Sequence, residues 1–193
     1  TTIACILEAC GNIGALDKAE KIHHAFFKKG TLEKDIVLGT ALVDMYAKCG
    51  LLAEAQDIFN KLPIQSSVSW TSLISGYAEK GFCAEAMDCF YQMQLQDVSP
   101  DLLSWNALIL GYGQLGSIEI VFRFLNRMTL EVVDPDLITL ISVINACSHT
   151  GLLGDAYIYF DNICKSYGII PNIEPYNCMV DLLGRVGCVE EAL

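Results

Sequence analysis

Apolar residues along this chain come in short pairs set among Gly, Asp, Lys and Glu, and the pairs recur. They are Ile6-Leu7, Leu42-Val43, Leu73-Ile74, Leu108-Ile109, Val143-Ile144 and Met179-Val180. A glycine follows each pair at a fixed distance: Gly14, Gly50, Gly81, Gly116, Gly151 and Gly187, at spacings of 36, 31, 35, 35 and 36 residues. Two residues after the glycines stand Leu16, Leu52, Cys83, Ile118, Leu153 and Val189; five after them stand Ala19, Ala55, Ala86, Val121, Ala156 and Ala192. Several features kept in register through six copies mark an internal repeat, and its period is that of stacked helical units.

Each copy predicts two helices. The first carries the apolar pair and, three residues on, an aromatic in Tyr46, Tyr77 and Tyr112, which helical spacing places on the same face. The glycine supplies a left-handed residue that ends this helix. The second helix opens on the apolar position after the turn, and its Ala lets the two helices approach closely. Pro63, Pro100, Pro135 and Pro171 follow the second helices, where they break nothing, and Pro175 sits in the first turn of the last first-helix. One such hairpin cannot bury its own apolar face, whereas stacked neighbours can. The expected fold is therefore all-α: a right-handed α-solenoid with a concave surface lined by the first helices, forming one array without a linker.

No stretch reaches the roughly 20 consecutive apolar residues of a membrane span, so no membrane partner is expected. Residue 1 opens directly on a helix pattern, which places any targeting segment outside these residues. The nine cysteines form no Cys-x-x-Cys and no finger spacing with histidine, and they read as reduced packing residues, Cys10, Cys89 and Cys147 among them. No metal, cofactor or catalytic residue is expected. His149 and the pair His23-His24 lack a Cys or carboxylate partner at metal or catalytic spacing and read as surface residues. The net charge of −11 is awkward for any partner rich in phosphate.

Alternating repeat lengths fit neither the fixed 34-residue tetratricopeptide unit nor the longer HEAT and armadillo units. Thr40-Ala-Leu-Val-Asp-Met-Tyr-Ala-Lys-Cys-Gly50, Val68-Ser-Trp-Thr-Ser-Leu-Ile-Ser-Gly-Tyr77, Ser104-Trp-Asn-Ala-Leu-Ile-Leu-Gly-Tyr112, Val143-Ile-Asn-Ala-Cys-Ser-His-Thr-Gly151 and Tyr176-Asn-Cys-Met-Val-Asp-Leu-Leu-Gly-Arg-Val-Gly187 carry a closer likeness. The chain resembles plant pentatricopeptide repeat proteins of the PLS subclass, in which long, short and standard repeats follow one another. The resemblance assigns a long repeat to 1–35, lacking its first position so that Ala4 is its fifth residue, a short one to 36–66, standard ones to 67–101 and 102–136, a long one to 137–172 and a truncated short one to 173–193.

The resemblance also implies single-stranded RNA as partner, one base per repeat, with the fifth and last residues of a repeat facing the base and the second residue packing against base faces. Carried onto this chain, the base-reading residues are Thr40 with Ser66, Thr71 with Asp101, Asn106 with Asp136, Asn172 as the partner of apolar Ile141, and Asn177. Thr71 with Asp101 implies G, and Asn106 with Asp136 implies U. Thr40 with Ser66 leans to a purine, and Asn177 to a pyrimidine. Val37, Val68, Leu103 and Ile138 are the base-packing positions, and Glu174 takes that place in the last repeat. Two residues before the repeat glycines, only Lys48 and Arg185 are firm cations for phosphate. Helix capping explains Asp101 and Asp136 without RNA, and the two roles are compatible. Trp70 and Trp105 are expected in the core rather than as base-stacking platforms.

In this family such a tract implies a specificity module of a C-to-U editing or other RNA-processing factor in mitochondria or chloroplasts, mitochondria being the first choice. Editing cofactors, or a deaminase domain downstream or in trans, would act with it. The zinc-deaminase signature of His-x-Glu and Cys-x-x-Cys does not occur in these residues, so the segment itself reads as no enzyme. The rival reading is a peptide-binding helical scaffold of tetratricopeptide type, which an acidic surface would suit for basic peptides. A nuclease finds no clustered acids to support it.

Overall fold

The computed structural model describes residues 2–27 and 35–187, and places eleven α-helices there: α1 (Thr2–Ile13), α2 (Leu16–Phe27), α3 (Ile36–Lys48), α4 (Leu52–Lys61), α5 (Ser67–Glu79), α6 (Cys83–Leu95), α7 (Leu102–Gln114), α8 (Ile118–Leu130), α9 (Leu137–Thr150), α10 (Leu153–Tyr167) and α11 (Ile173–Val186). Val189 and Ala192, which continue the repeat register, lie outside the described residues.

The hairpin turns follow from the glycines. All six have positive φ, between 66° and 86°, a region that costs a residue bearing Cβ. Around Gly50 the Gly50 N–H donates to Ala47 O at 2.9 Å and the Leu51 N–H to Tyr46 O at 2.9 Å. These two bonds satisfy carbonyls that the end of α3 would otherwise leave bare. The same longer bond recurs as Phe82 to Tyr77, Ser117 to Tyr112 and Leu152 to Cys147. The second helices α4, α6, α8 and α10 accordingly start without a side-chain cap.

First helices start differently. Asp35, Ser66, Asp101, Asp136 and Asn172 precede α3, α5, α7, α9 and α11, and each accepts a backbone N–H two or three residues on. The last residue of each of the first five repeats assigned from the sequence is therefore an N-cap.

The helices group into two compact units, Thr1–Pro100 and Asp101–Leu193. In the first, α1 packs on α3 and α3 on α5, while α2, α4 and α6 each pack on the first helix of their own hairpin. In the second, α7, α9 and α11 form the corresponding row, with α8 and α10 packed on α7 and α9. Each unit is all-α, a right-handed solenoid of stacked helical hairpins. Ala19, Ala55, Ala86, Val121 and Ala156 are fully buried where the two helices of a hairpin meet. On α3, α5, α7 and α9 both residues of the apolar pair are fully buried, whereas Ile6 on α1 and Val180 on α11 are 45% and 48% exposed.

Among the described residues no helix is long and apolar enough to cross a membrane. Cys10, Cys89 and Cys147 are buried as free thiols, and burial pushes the Cys89 and Cys147 thiols up to about 12. Trp70 and Trp105 are buried too, edge-on to Phe59 and Phe124.

Candidate nucleic-acid interface

The second residues of four first helices form a group that burial alone would not select. Val37 and Val68 in the first unit are 61% and 62% exposed; Leu103 and Ile138 in the second are 59% and 50% exposed. Each stands beside a capped helix start and two places before a buried residue, Gly39, Trp70, Trp105 and Leu140 in turn. An isolated exposed aliphatic residue needs no explanation, but an aliphatic residue left bare at the same register in two successive repeats of each unit offers repeated flat apolar contacts there.

Next to these aliphatics lie the fifth residues. Thr71 on α5 and Asn106 on α7 are 7% and 4% exposed, Thr40 on α3 is half-buried, and Asn177 on α11 is exposed. Buried polar groups require partners, and those of Asn106 are the last residue of its own repeat, Asp136, and the third residue of the next, Thr139. Its Nδ2 donates to Asp136 Oδ1 at 3.0 Å, and its Oδ1 accepts from Thr139 Oγ1 at 2.6 Å. Asp136 meanwhile caps α9, accepting the Thr139 N–H at 2.9 Å, while the Asp136 N–H donates to Thr139 Oγ1 at 3.1 Å. One carboxylate thus caps the first helix of the next repeat and holds the amide of its own.

The other sequence-derived residues are placed as follows. Asp101 caps α7, accepting the Ser104 N–H at 2.9 Å and the Ser104 hydroxyl at 2.8 Å. Ser66 accepts the Ser69 N–H at 3.3 Å, and among the described residues no hydrogen bond joins it to Thr40. Asn172 is exposed and caps α11, accepting the Glu174 N–H at 3.0 Å. Ala4 and Ile141, the fifth residues of the long repeats, have no group with which to hydrogen-bond. Glu174 is exposed.

The two cations carry ion pairs. Lys48 Nζ lies 2.8 Å from Asp44 Oδ2, and Arg185 Nε lies 2.7 Å from Asp181 Oδ2. Each aspartate also accepts a hydroxyl from the neighbouring first helix, Asp44 from Ser72 at 3.2 Å and Asp181 from Ser148 at 3.0 Å. Both pairs were open to sequence reasoning, since Asp and cation stand four residues apart on a helix. Thr139 was legible only as a cap partner of Asp136, because its contact with Asn106 spans 33 residues.

The surface reading of His23 needs correction. Its ring is half-buried against Tyr46, with Nδ1 2.8 Å from the phenol oxygen. Burial, then the neighbouring His24 and Lys61, lower its pKa, and burial pushes Tyr46 up to about 12. His24 and His149 are exposed, as expected. Among the described residues no three His, Cys, Asp or Glu side chains are grouped to hold a metal ion.

A family model described as PPR repeat matches residues 40–63, 68–98, 103–131 and 174–193. Over 193 residues the chain is 33% identical to pentatricopeptide repeat-containing protein At3g62890 of Arabidopsis thaliana, covering 99% of this chain and 27% of that protein. It is 31% identical to At1g06140, mitochondrial, and 32% identical to At3g57430, chloroplastic, both from Arabidopsis, covering 99% of this chain in each case and 28% and 17% of those proteins. The chain thus spans about a quarter or less of these relatives' length. Among solved structures, the pentatricopeptide repeat protein PPR10 from maize superposes with a TM-score of 0.70 at 24% identity, over all of this chain and 28% of that one. The same protein in complex with an 18-nt psaJ RNA element gives 0.67 at 21% identity, over 99% and 32%. At these identities the superpositions establish the fold.

Proposed function

Because this chain belongs to the pentatricopeptide repeat family, we propose that it binds single-stranded RNA, one base per repeat, as the specificity module of a longer PLS-type organellar factor for RNA editing or processing. The observation that carries this reading is the Asn106–Asp136 bond at 3.0 Å, flanked by the exposed aliphatic residues Leu103 and Ile138. A base held between two aliphatic faces presents its Watson–Crick edge inward, where a fixed amide tests it. The repeat bounds of the sequence reading, 1–35 to 173–193, define the six base positions. On them Thr71 with Asp101 selects G, and Asn106 with Asp136 selects U in the next position. Thr40 with Ser66, Asn172 and Asn177 read more weakly, Val37 and Val68 pack as Leu103 and Ile138 do, and Lys48 and Arg185 face phosphates.

Support comes from relatives as well. The maize protein was solved on an RNA element, and two of the Arabidopsis relatives bear mitochondrial and chloroplastic names. An organelle is the compartment this reading requires. A deaminase activity, if the factor edits, is supplied by a domain downstream or by a partner in trans.

Selection from a randomised single-stranded RNA pool at fixed salt tests the reading. Enrichment of G followed by U, with Asn106→Thr moving the second preference from U towards G, is the expected result. Binding without base preference would reduce the repeats to a scaffold. Failure to bind RNA, with capture of basic peptides instead, would favour the peptide-binding reading, which the net charge of −11 suits.

A further inference from the structure

The Asn106 amide is held from both ends, and only one of its holders belongs to the reading pair. Asp136 takes the N–H end at 3.0 Å; the Thr139 hydroxyl takes the oxygen end at 2.6 Å. Thr139 is fully buried, so it touches no ligand itself. Its Oγ1 accepts the Asp136 N–H at 3.1 Å, which leaves the single hydroxyl proton facing two oxygens, Asn106 Oδ1 at 2.6 Å and Asp136 Oδ1 at 3.0 Å. Turned over, the amide would set its oxygen against the carboxylate and lose the Thr139 donor. The hydroxyl therefore adds to the carboxylate in fixing which end of the amide points which way.

That sense matters for pyrimidines. The edge of U offers a carbonyl acceptor beside the N3–H donor; the edge of C offers an amino donor beside the N3 acceptor, the reverse order. An amide has one N–H and one oxygen lone pair left after its two internal bonds. Held in one sense it suits one pyrimidine and opposes the other; free to turn over, it suits both.

The sequence repeats the arrangement. Polar fifth residues Thr40, Thr71 and Asn106 are each followed, at the third residue of the next repeat, by a hydroxyl: Ser69, Ser104 and Thr139. Apolar fifth residues Ala4 and Ile141 are followed there by Leu38 and Pro175, which carry none. The three hydroxyl residues are all fully buried. Capping alone gives no reason for a hydroxyl to track the fifth residue of the preceding repeat, since Asp35 and Asn172 cap without one.

We infer that Thr139 is a positioning residue for base choice: its hydroxyl holds the Asn106 amide in one sense and so separates U from C at this repeat. The inference rests on the RNA-reading proposal above. It is tested with two single-stranded RNAs differing only as U or C at the position that the pool selection assigns to Asn106. The unmodified chain prefers U. Thr139→Val, which keeps the shape and removes the hydroxyl, lowers the U-to-C affinity ratio about fivefold, the worth of one neutral hydrogen bond. Thr139→Ser keeps the ratio. Thermal melts accompany the binding data, and Thr139→Ala takes the place of the valine variant if that one does not fold. Equal weakening for U and C, or an unchanged ratio in the folded hydroxyl-free variants, overturns the inference and leaves base reading standing. No preference between U and C in the unmodified chain overturns both.

Discussion

His23 illustrates what a single side chain hides from the sequence. Nothing in its neighbourhood along the chain announces Tyr46, which lies 23 residues on and meets it only when α1, with α2 packed on it, docks on α3. With the phenol pushed up to about 12, Tyr46 keeps its proton, and it donates to the imidazole in the tautomer whose Nδ1 carries none. A protonated imidazole cannot accept that bond, and burial lowers the His23 pKa below its usual 6.5. The sign follows: the unfolded histidine takes up its proton first as pH falls, so the site's contribution to stability is complete above about pH 6.5 and is lost as pH drops through the folded value. Denaturant midpoints at about pH 7.5 and about pH 5.5 should show a larger acid loss for the unmodified chain than for His23→Asn, and parallel losses would remove His23 from the account. Asn106 and Asp136, by contrast, were both legible, through their place in the repeat. Their pairing at one base was an expectation of the resemblance; the third partner was not, since Asp136-x-x-Thr139 reads in sequence only as a capping box.

At the scale of helices the periodicity specified nearly everything. The six glycines set the turns, and the second helices begin on the apolar residues two places later. What it could not distinguish is one helical glycine from another. Gly76 in α5 and Gly184 in α11 both sit inside first helices, with no local signal separating them. A Cβ on Gly76 would lie 2.7 Å from Ala47 Cβ and 3.2 Å from Leu52 Cδ2, because α3 and α5 cross there; one on Gly184 would meet nothing within 4 Å. Alanine improves helix propensity by about 1 kcal/mol, while forcing an extra methyl into a packed crossing costs about 1–3 kcal/mol. Gly76→Ala should therefore lower the unfolding free energy on balance, and Gly184→Ala should raise it by roughly 0.5–1 kcal/mol. Urea unfolding of both variants checks this, and a stabilised Gly76→Ala would mean that the α3–α5 crossing gives way at little cost.

Across the whole molecule the unresolved tension is charge: a net −11 on a chain proposed to hold a polyanion. The two cations assigned to phosphate are each bound to an aspartate one helical turn back, and each aspartate is itself fixed by a serine from the adjoining first helix. An exposed ion pair contributes little to stability, so these pairs cost the fold almost nothing to lose. They do cost binding, because a phosphate must compete with a tethered carboxylate for the same ammonium or guanidinium. Electrostatic affinity should then be small and the salt dependence shallow, with base contacts providing most of the discrimination. Removing the competitors reverses this. Asp44→Asn with Asp181→Asn leaves a hydrogen-bonding side chain for Ser72 and Ser148 but frees both cations, and the plot of log affinity against log salt should steepen by about 0.7 for each cation that then meets a phosphate. The gain should be equal for matched and mismatched RNA, since a phosphate contact carries no base information. A slope that stays flat would mean that Lys48 and Arg185 face away from the bound strand, and that the aspartates neutralise cations the RNA never reaches.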